Sequence, residues 1–218
     1  MSWFTKDLEE KVEKDYQEFT AYFAESGAYL GEIKFAGVYE SEGSKSKGLV
    51  LKAQLENGVN IERYINFQNR EGKRTRKTKD GRILPSFGLS QIESFSKLID
   101  FGSPTREVEV ELWGKSKKAK IMEEPIGKKV GFCVRHIQEP NQDGTKVFDK
   151  NEIEMLFDPE TKKTSAELYY EEGDSRRLTL SEWEERIAKT PILDRTNKKK
   201  TEPKATETKE VKSAVDKW

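Results

Sequence analysis

Seven cationic side chains crowd into the stretch 70–82: Arg70, Lys73, Arg74, Arg76, Lys77, Lys79 and Arg82, opposed only by Glu71 and Asp80. Guanidinium and ammonium groups at this density suit a polyphosphate backbone. Each one near a phosphate releases a condensed counterion, and that release drives salt-sensitive, sequence-blind binding. A nucleic-acid single strand offers a second handle, because its unstacked bases lie flat on aromatic rings for about 1–3 kcal/mol each. The rings sit nearby in sequence. Tyr64 falls on the polar side of an alternating run, Phe67 and Phe87 bracket the cationic stretch, and Trp113 precedes Lys115, Lys117, Lys118 and Lys120. Tyr64 and Trp113 are the expected stacking residues, and Phe87 is a further expected DNA contact. Lys52, the seven cations of 70–82, Lys115 and Lys117 are the expected phosphate contacts. Phe67 keeps phase with an apolar row and reads as core.

The chain as a whole is neutral, with 40 basic and 40 acidic residues. Residues 1–31 hold seven acids (Asp7, Glu9, Glu10, Glu13, Asp15, Glu18, Glu25) against Lys6, Lys11 and Lys14. Charge segregated in this way steers a polyanion to one face.

Other chemistries find little material. Cys133 and His136 are the only cysteine and histidine, too few for a zinc site. Three apart on a strand, they point to opposite faces and form no nucleophile pair. His136 keeps phase with Val130, Phe132 and Val134 and reads as structural. Glu107, Glu109 and Glu111 alternate with Val108, Val110 and Leu112, the pattern of one solvated strand face and not of carboxylates converging on Mg²⁺. Gly43 and Gly48 have P-loop spacing, but Leu49 and Val50 follow where Lys and Ser or Thr are required. The expectation is a binder without catalysis, metal or cofactor. One cysteine permits no internal disulfide. No apolar run reaches membrane-spanning length, and the acidic start lacks a signal-peptide pattern. These features read as a soluble, intracellular protein.

Stepping along the chain, Leu8, Val12, Tyr16, Phe19 and Phe23 recur at helical spacing, which predicts an N-terminal amphipathic helix within residues 1–27. Strand patterns follow at 28–40, 49–56 and 59–68, the last two joined by Asn57-Gly58, a strong hairpin signal. A helix is expected over 89–102, capped by Ser90 and Glu93 and buried through Ile92, Phe95 and Ile99. Strands are expected at 106–114, 128–138, 151–158 and 165–170. A short helix over 181–189, with Ser181 and Glu184 as its capping box, precedes a lysine-rich disordered tail, 194–218. Three meandering strands, a helix and further strands follow the order of an OB-fold. The expected architecture is therefore mainly β with flanking helices. It comprises an OB-like five-stranded barrel over 28–170 with an extra strand region, a helical extension over 171–193, and the tail.

The stretches YLGEIKFAGVYESEGSKSKGLVLKAQLENG (29–58), GKKVGFCVRHIQEP (127–140) and MLFDPETKKTSAE (155–167) resemble phage-encoded single-stranded DNA-binding proteins with an OB core. The resemblance spans about residues 29–170. It implies a sequence-independent single-stranded DNA binder in phage replication or recombination, working in the cytoplasm of the bacterial host. Relatives of this kind dock replication partners through an acidic tail ending in an aromatic residue. Trp218 matches that aromatic and is the expected partner contact. Lys198, Lys199, Lys200, Lys204, Lys209, Lys212 and Lys217 depart from the acidic pattern and suit phosphate instead. Two rivals use the same features: a metal-dependent phage nuclease whose basic loop holds substrate, and a protein–protein adaptor docking through Leu8–Phe23.

Overall fold

The computed structural model describes residues 24–41, 43–112, 115–141 and 144–196. The expected helix over Leu8–Phe23, Trp113, Trp218 and the tail beyond Thr196 lie outside the described residues. The protein is mainly β. Strands β1 (Gly27–Glu40), β2 (Lys47–Leu55) and β3 (Asn60–Gln68) form an antiparallel meander. The Asn57-Gly58 turn behaves as its sequence predicts. Gly58 sits at φ +81°, a conformation that costs residues with a Cβ, and Val59 N–H donates to the Asn57 side chain at 3.1 Å.

β1 organises the sheet. A register shift between Ile33 and Phe35 bends it, so its second edge serves two partners. Residues 27–32 pair with β8 (Lys129–Pro140), and residues 37–39 pair with β7 (Lys115–Ile121). β9 (Val147–Phe157) lies on the other edge of β8, and β10 (Ile192–Asp194) joins β8 in parallel beyond the start of β1. β6 (Glu107–Leu112) pairs only with β7. The sheet curls until β3 meets β9, where Arg63 forms an ion pair with Glu152. Gln91 donates to Ile153 O at 3.0 Å beside it. Side chains make this contact; no hydrogen-bonded ladder joins β3 to β9 among the described residues.

Alternation along the strands builds the core. Leu49, Leu51, Ala53, Leu55, Ile61 and Ile65 turn inward with Ile33, Phe132, Val134, Ile153 and Leu156. Helix α1 (Phe87–Phe95) closes this cavity with Phe95, and Ile99 follows it in. Burying such side chains contributes about 1.5–3 kcal/mol each. α1 begins earlier than its sequence signal. Ser86 is the cap, accepting from Leu89 N–H at 3.1 Å, and the helix ends at Phe95. Glu93 therefore closes no capping box; its carboxylate accepts from the Tyr169 hydroxyl. The start is fixed by close approach: a Cβ on Gly88 would stand 2.0 Å from Asn66 O of β3.

Two smaller clusters cover the outside of the sheet. The β6–β7 hairpin lays Val108, Val110, Leu112, Ala119 and Ile121 over Phe35, Tyr39 and Val50. Helix α3 (Leu180–Lys189) packs Trp183 and Ile187 on Cys133, Met155 and Phe157. Its cap is Thr179 with Glu182, two residues before the expected Ser181–Glu184 pair. Residues 165–170 are not a strand. Thr164 and Glu167 form a complete capping box for the short helix α2 (Ser165–Tyr169), so the chain turns away from β9. Residues 194–196, expected in the disordered tail, are ordered: β10 runs to Asp194, and Arg195 is held by Glu139 at 3.3 Å and Glu152 at 2.9 Å. Among the described residues no helix is long and apolar enough to cross a membrane.

Candidate nucleic-acid interface

The cationic stretch is a finger and not a slack loop. Strands β4 (Thr75–Lys77) and β5 (Ile83–Pro85) pair in a separate two-stranded sheet. Asn69 folds the base of the finger, accepting from Glu71 and Lys73 N–H at 3.0 and 2.8 Å. Thr78 N–H donates to Arg82 O at 2.9 Å across the tip. A strand sorts its side chains by parity. Arg74 and Arg76 share the inner side, toward Phe67 and Phe87, while Lys77 lies on the other side opposite Ile83.

Each inner arginine rests on a ring. The Arg74 guanidinium lies 5.6 Å from the centre of Phe67 and donates to Gln68 Oε1 at 2.9 Å. The Arg76 guanidinium lies 4.1 Å from the centre of Phe87, whose side chain is 75% exposed. Stacks of this kind contribute about 0.5–1 kcal/mol at exposed sites. Two other finger cations have acid partners: Lys73 with Glu71 at 2.7 Å and Arg82 with Asp80 at 2.6 Å. Hydrogen bonding to Lys73 holds the Glu71 carboxyl below its ordinary range. Arg70, Lys77 and Lys79 are exposed and make no ion pair among the described residues.

Phe67 is in the site because of a bulge. β2 and β3 pair Gly48 with Asn66 and Lys47 with Gln68, leaving Phe67 without an opposite residue. An extra residue of this kind re-aims its side chain. Gln68 takes the buried place instead, donating to Lys45 O at 2.6 Å. Phe67 then lines a groove of about 810 Å³ with Arg74, Tyr39, Lys47, Lys118 and Lys120. Glu40 neutralises Lys47 at 3.0 Å, and Glu107 neutralises Lys118 at 3.0 Å. Among the described residues lining the groove, the four cations Lys47, Arg74, Lys118 and Lys120 outnumber the two acids Glu40 and Glu107, so the floor is cationic. Phe67, Lys47 and Lys120 were not among the sequence candidates. An extra residue between facing strands leaves no mark on the hydrophobic period.

Several sequence candidates stand elsewhere. Lys52 is buried at 1% exposure, not on an open outer face. The β6–β7 hairpin covers it, and its ammonium donates to Glu111 O at 2.9 Å with the Glu62 carboxylate 3.9 Å away. Burial lowers its pKa, partly offset by Glu62 and Glu111. Tyr64 is likewise no free platform. It is half-buried against the outer cluster, edge-on to Tyr39 at 6.2 Å, on a surface a Cβ at Gly48 would occupy. Burial raises its phenol pKa. Residues 115–121 are a strand and not a solvated lysine run. Register sets Glu107 opposite Lys120 and Glu109 opposite Lys118, so this ribbon largely balances its own charge. Lys115 is exposed at its start and Lys117 is half-buried opposite Val110.

A second groove, of about 490 Å³, lies along the finger's inner side, lined by Arg76, Leu84, Pro85, Ser90, Tyr169, Tyr170, Arg176 and the acids Glu171, Glu172 and Asp174. His136 is structural in setting: buried, with Nε2 2.6 Å from Asp149 Oδ1, and its backbone N–H, not its ring, meets the Ser26 hydroxyl. The Cys133 thiol is pushed far up by burial. Among the described residues no three His, Cys, Asp or Glu side chains gather closely enough to hold a metal ion. Compared with known proteins, the chain matches no family model and no curated sequence.

Proposed function

We propose that this protein binds single-stranded DNA without sequence preference, through the groove between the finger and the β6–β7 ribbon, and that its curled sheet is an OB-type barrel. The observation that carries the reading is the Phe67–Arg74 pair: a ring turned outward by a bulge, with a guanidinium beside it, over a floor holding uncompensated positive charge. Such a site offers a base its stacking surface and the adjoining phosphate its counter-charge. Arg70, Lys77 and Lys79 extend that charge along the finger. The barrel reading rests on element order, a meander, then a helix, then β8 on the shared strand β1 with β9 on its other edge, and on the curl that brings β3 and β9 together. A role in phage replication or recombination in the host cytoplasm follows from the resemblance of residues 29–170.

The test is anisotropy of labelled oligo-dT, oligo-dA and mixed-sequence strands against the full chain. Similar affinities that fall steeply with salt are expected. Replacing Arg74, Arg76, Lys77 and Lys79 by Ala should weaken all strands alike; unchanged binding would remove the finger from the site. Strands recovered intact after incubation with Mg²⁺ separate a binder from a nuclease.

A further inference from the structure

The second groove repeats the arrangement of the first. Arg74 lines one groove and Arg76 the other. Two residues apart on one strand side, they stand roughly 6.6 Å apart, so the grooves adjoin along the finger. Arg76, which rests on Phe87 outside the second groove, lines it together with a second such pair, the Arg176 guanidinium 4.3 Å from the centre of Tyr170. Tyr169 stands edge-on to Tyr170 at 4.8 Å. Arg76 Nε is buried and makes no hydrogen bond, so this donor is unspent.

The charge differs between the two. Arg76 and Arg176 face Glu171, Glu172 and Asp174, and Asp174 already holds Arg176 through Nε at 2.9 Å. An acidic excess repels phosphate but does not repel a neutral base.

We infer that the second groove is a base-receiving subsite at one end of the bound strand, with Tyr170 as its stacking ring, the exposed Phe87 ring beside it across Arg76, and Glu171, Glu172 and Asp174 marking where the track stops. This rests on the reading of the first groove as a single-strand site. It adds three things to that reading: a direction, an end, and contacts from the segment after α2.

The experiment compares oligo-dT of about 4 and about 16 nucleotides, the range of site sizes for such folds. Three proteins are needed: the full chain, Phe87→Ala and Tyr170→Leu. Phe87 is exposed, so its removal leaves the core intact, and leucine keeps apolar bulk at Tyr170. The wild-type chain should bind the longer strand more tightly than length statistics alone give. Each variant should bind the short strand as the wild type does, and lose about tenfold on the long one, the effect of one lost stack. Equal loss at both lengths, or no loss at either, overturns the subsite while leaving the first groove standing. Failure of the wild-type chain to bind either strand overturns the single-strand reading itself, and the subsite with it.

Discussion

Phe67 and Lys52 have exchanged the roles that their neighbours' periodicity suggests, and each carries a prediction. Phe67 belongs to no core cluster, so Phe67→Ala should leave the urea midpoint nearly unchanged. It should weaken oligo-dT binding about tenfold, the effect of one lost base stack. Lys52→Met should do the reverse. The apolar stem is kept, but Glu111 O loses a charged donor in a buried place, which costs about 1.5–3 kcal/mol of stability; a chemical denaturation curve reads it, and single-strand affinity should follow only the folded fraction. Tyr169 gives a spectroscopic check. Burial first, then its hydrogen bond to Glu93, pushes its phenol up to about 12. Its contribution is fully present below the ordinary value near 10 and is lost as pH rises through about 12, so an ultraviolet titration should contain an ionisation near 12 that Tyr169→Phe removes. At this scale the sequence discloses residue type and phase but not cover. Lys52 does alternate outward on β2, as its pattern says; a hairpin some sixty residues later in the chain then buries it.

The elements show the same division. The β2–β3 hairpin was legible because Asn57-Gly58 has few other uses. The stripe Ile92, Phe95 and Ile99 marked the buried side of the helix region correctly, although the cap lies at Ser86. The finger was not legible as structure, since Thr75–Lys77 and Ile83–Pro85 are too short for a period and are dominated by charge. Thr164-x-x-Glu167 has capping-box spacing, a signal that the strand expectation for 165–170 did not use. Docking of α1 on β3 depends on one missing Cβ. Gly88→Ala would force an atom into Asn66 O and should destabilise the fold by about 1–3 kcal/mol, the usual cost of overpacking, measured by thermal unfolding. The loop after α2 is pinned by Asp174, whose carboxyl the Arg176 hydrogen bond holds at about 2. That anchoring is present above the ordinary carboxyl range and is lost as pH falls through about 2; carboxyl carbon shifts should titrate there and move toward the ordinary range in Arg176→Ala, which keeps only the backbone donor.

For the molecule as a whole, charge placement matters more than charge total. Forty cations balance forty anions, yet the acids lie opposite lysines on the β6–β7 ribbon and leave the finger and the first groove positive. Affinity for a polyanion should then depend on few contacts and on salt. The most direct measurement is the slope of log affinity against log salt for oligo-dT, taken on the wild-type chain and on Lys77→Ser with Lys79→Ser. A single-strand site of this construction predicts measurable binding at low salt, a linear decline, and a slope shallower by about 0.7 for each phosphate contact removed. No binding at low salt, or an identical slope in wild type and variant, would contradict it.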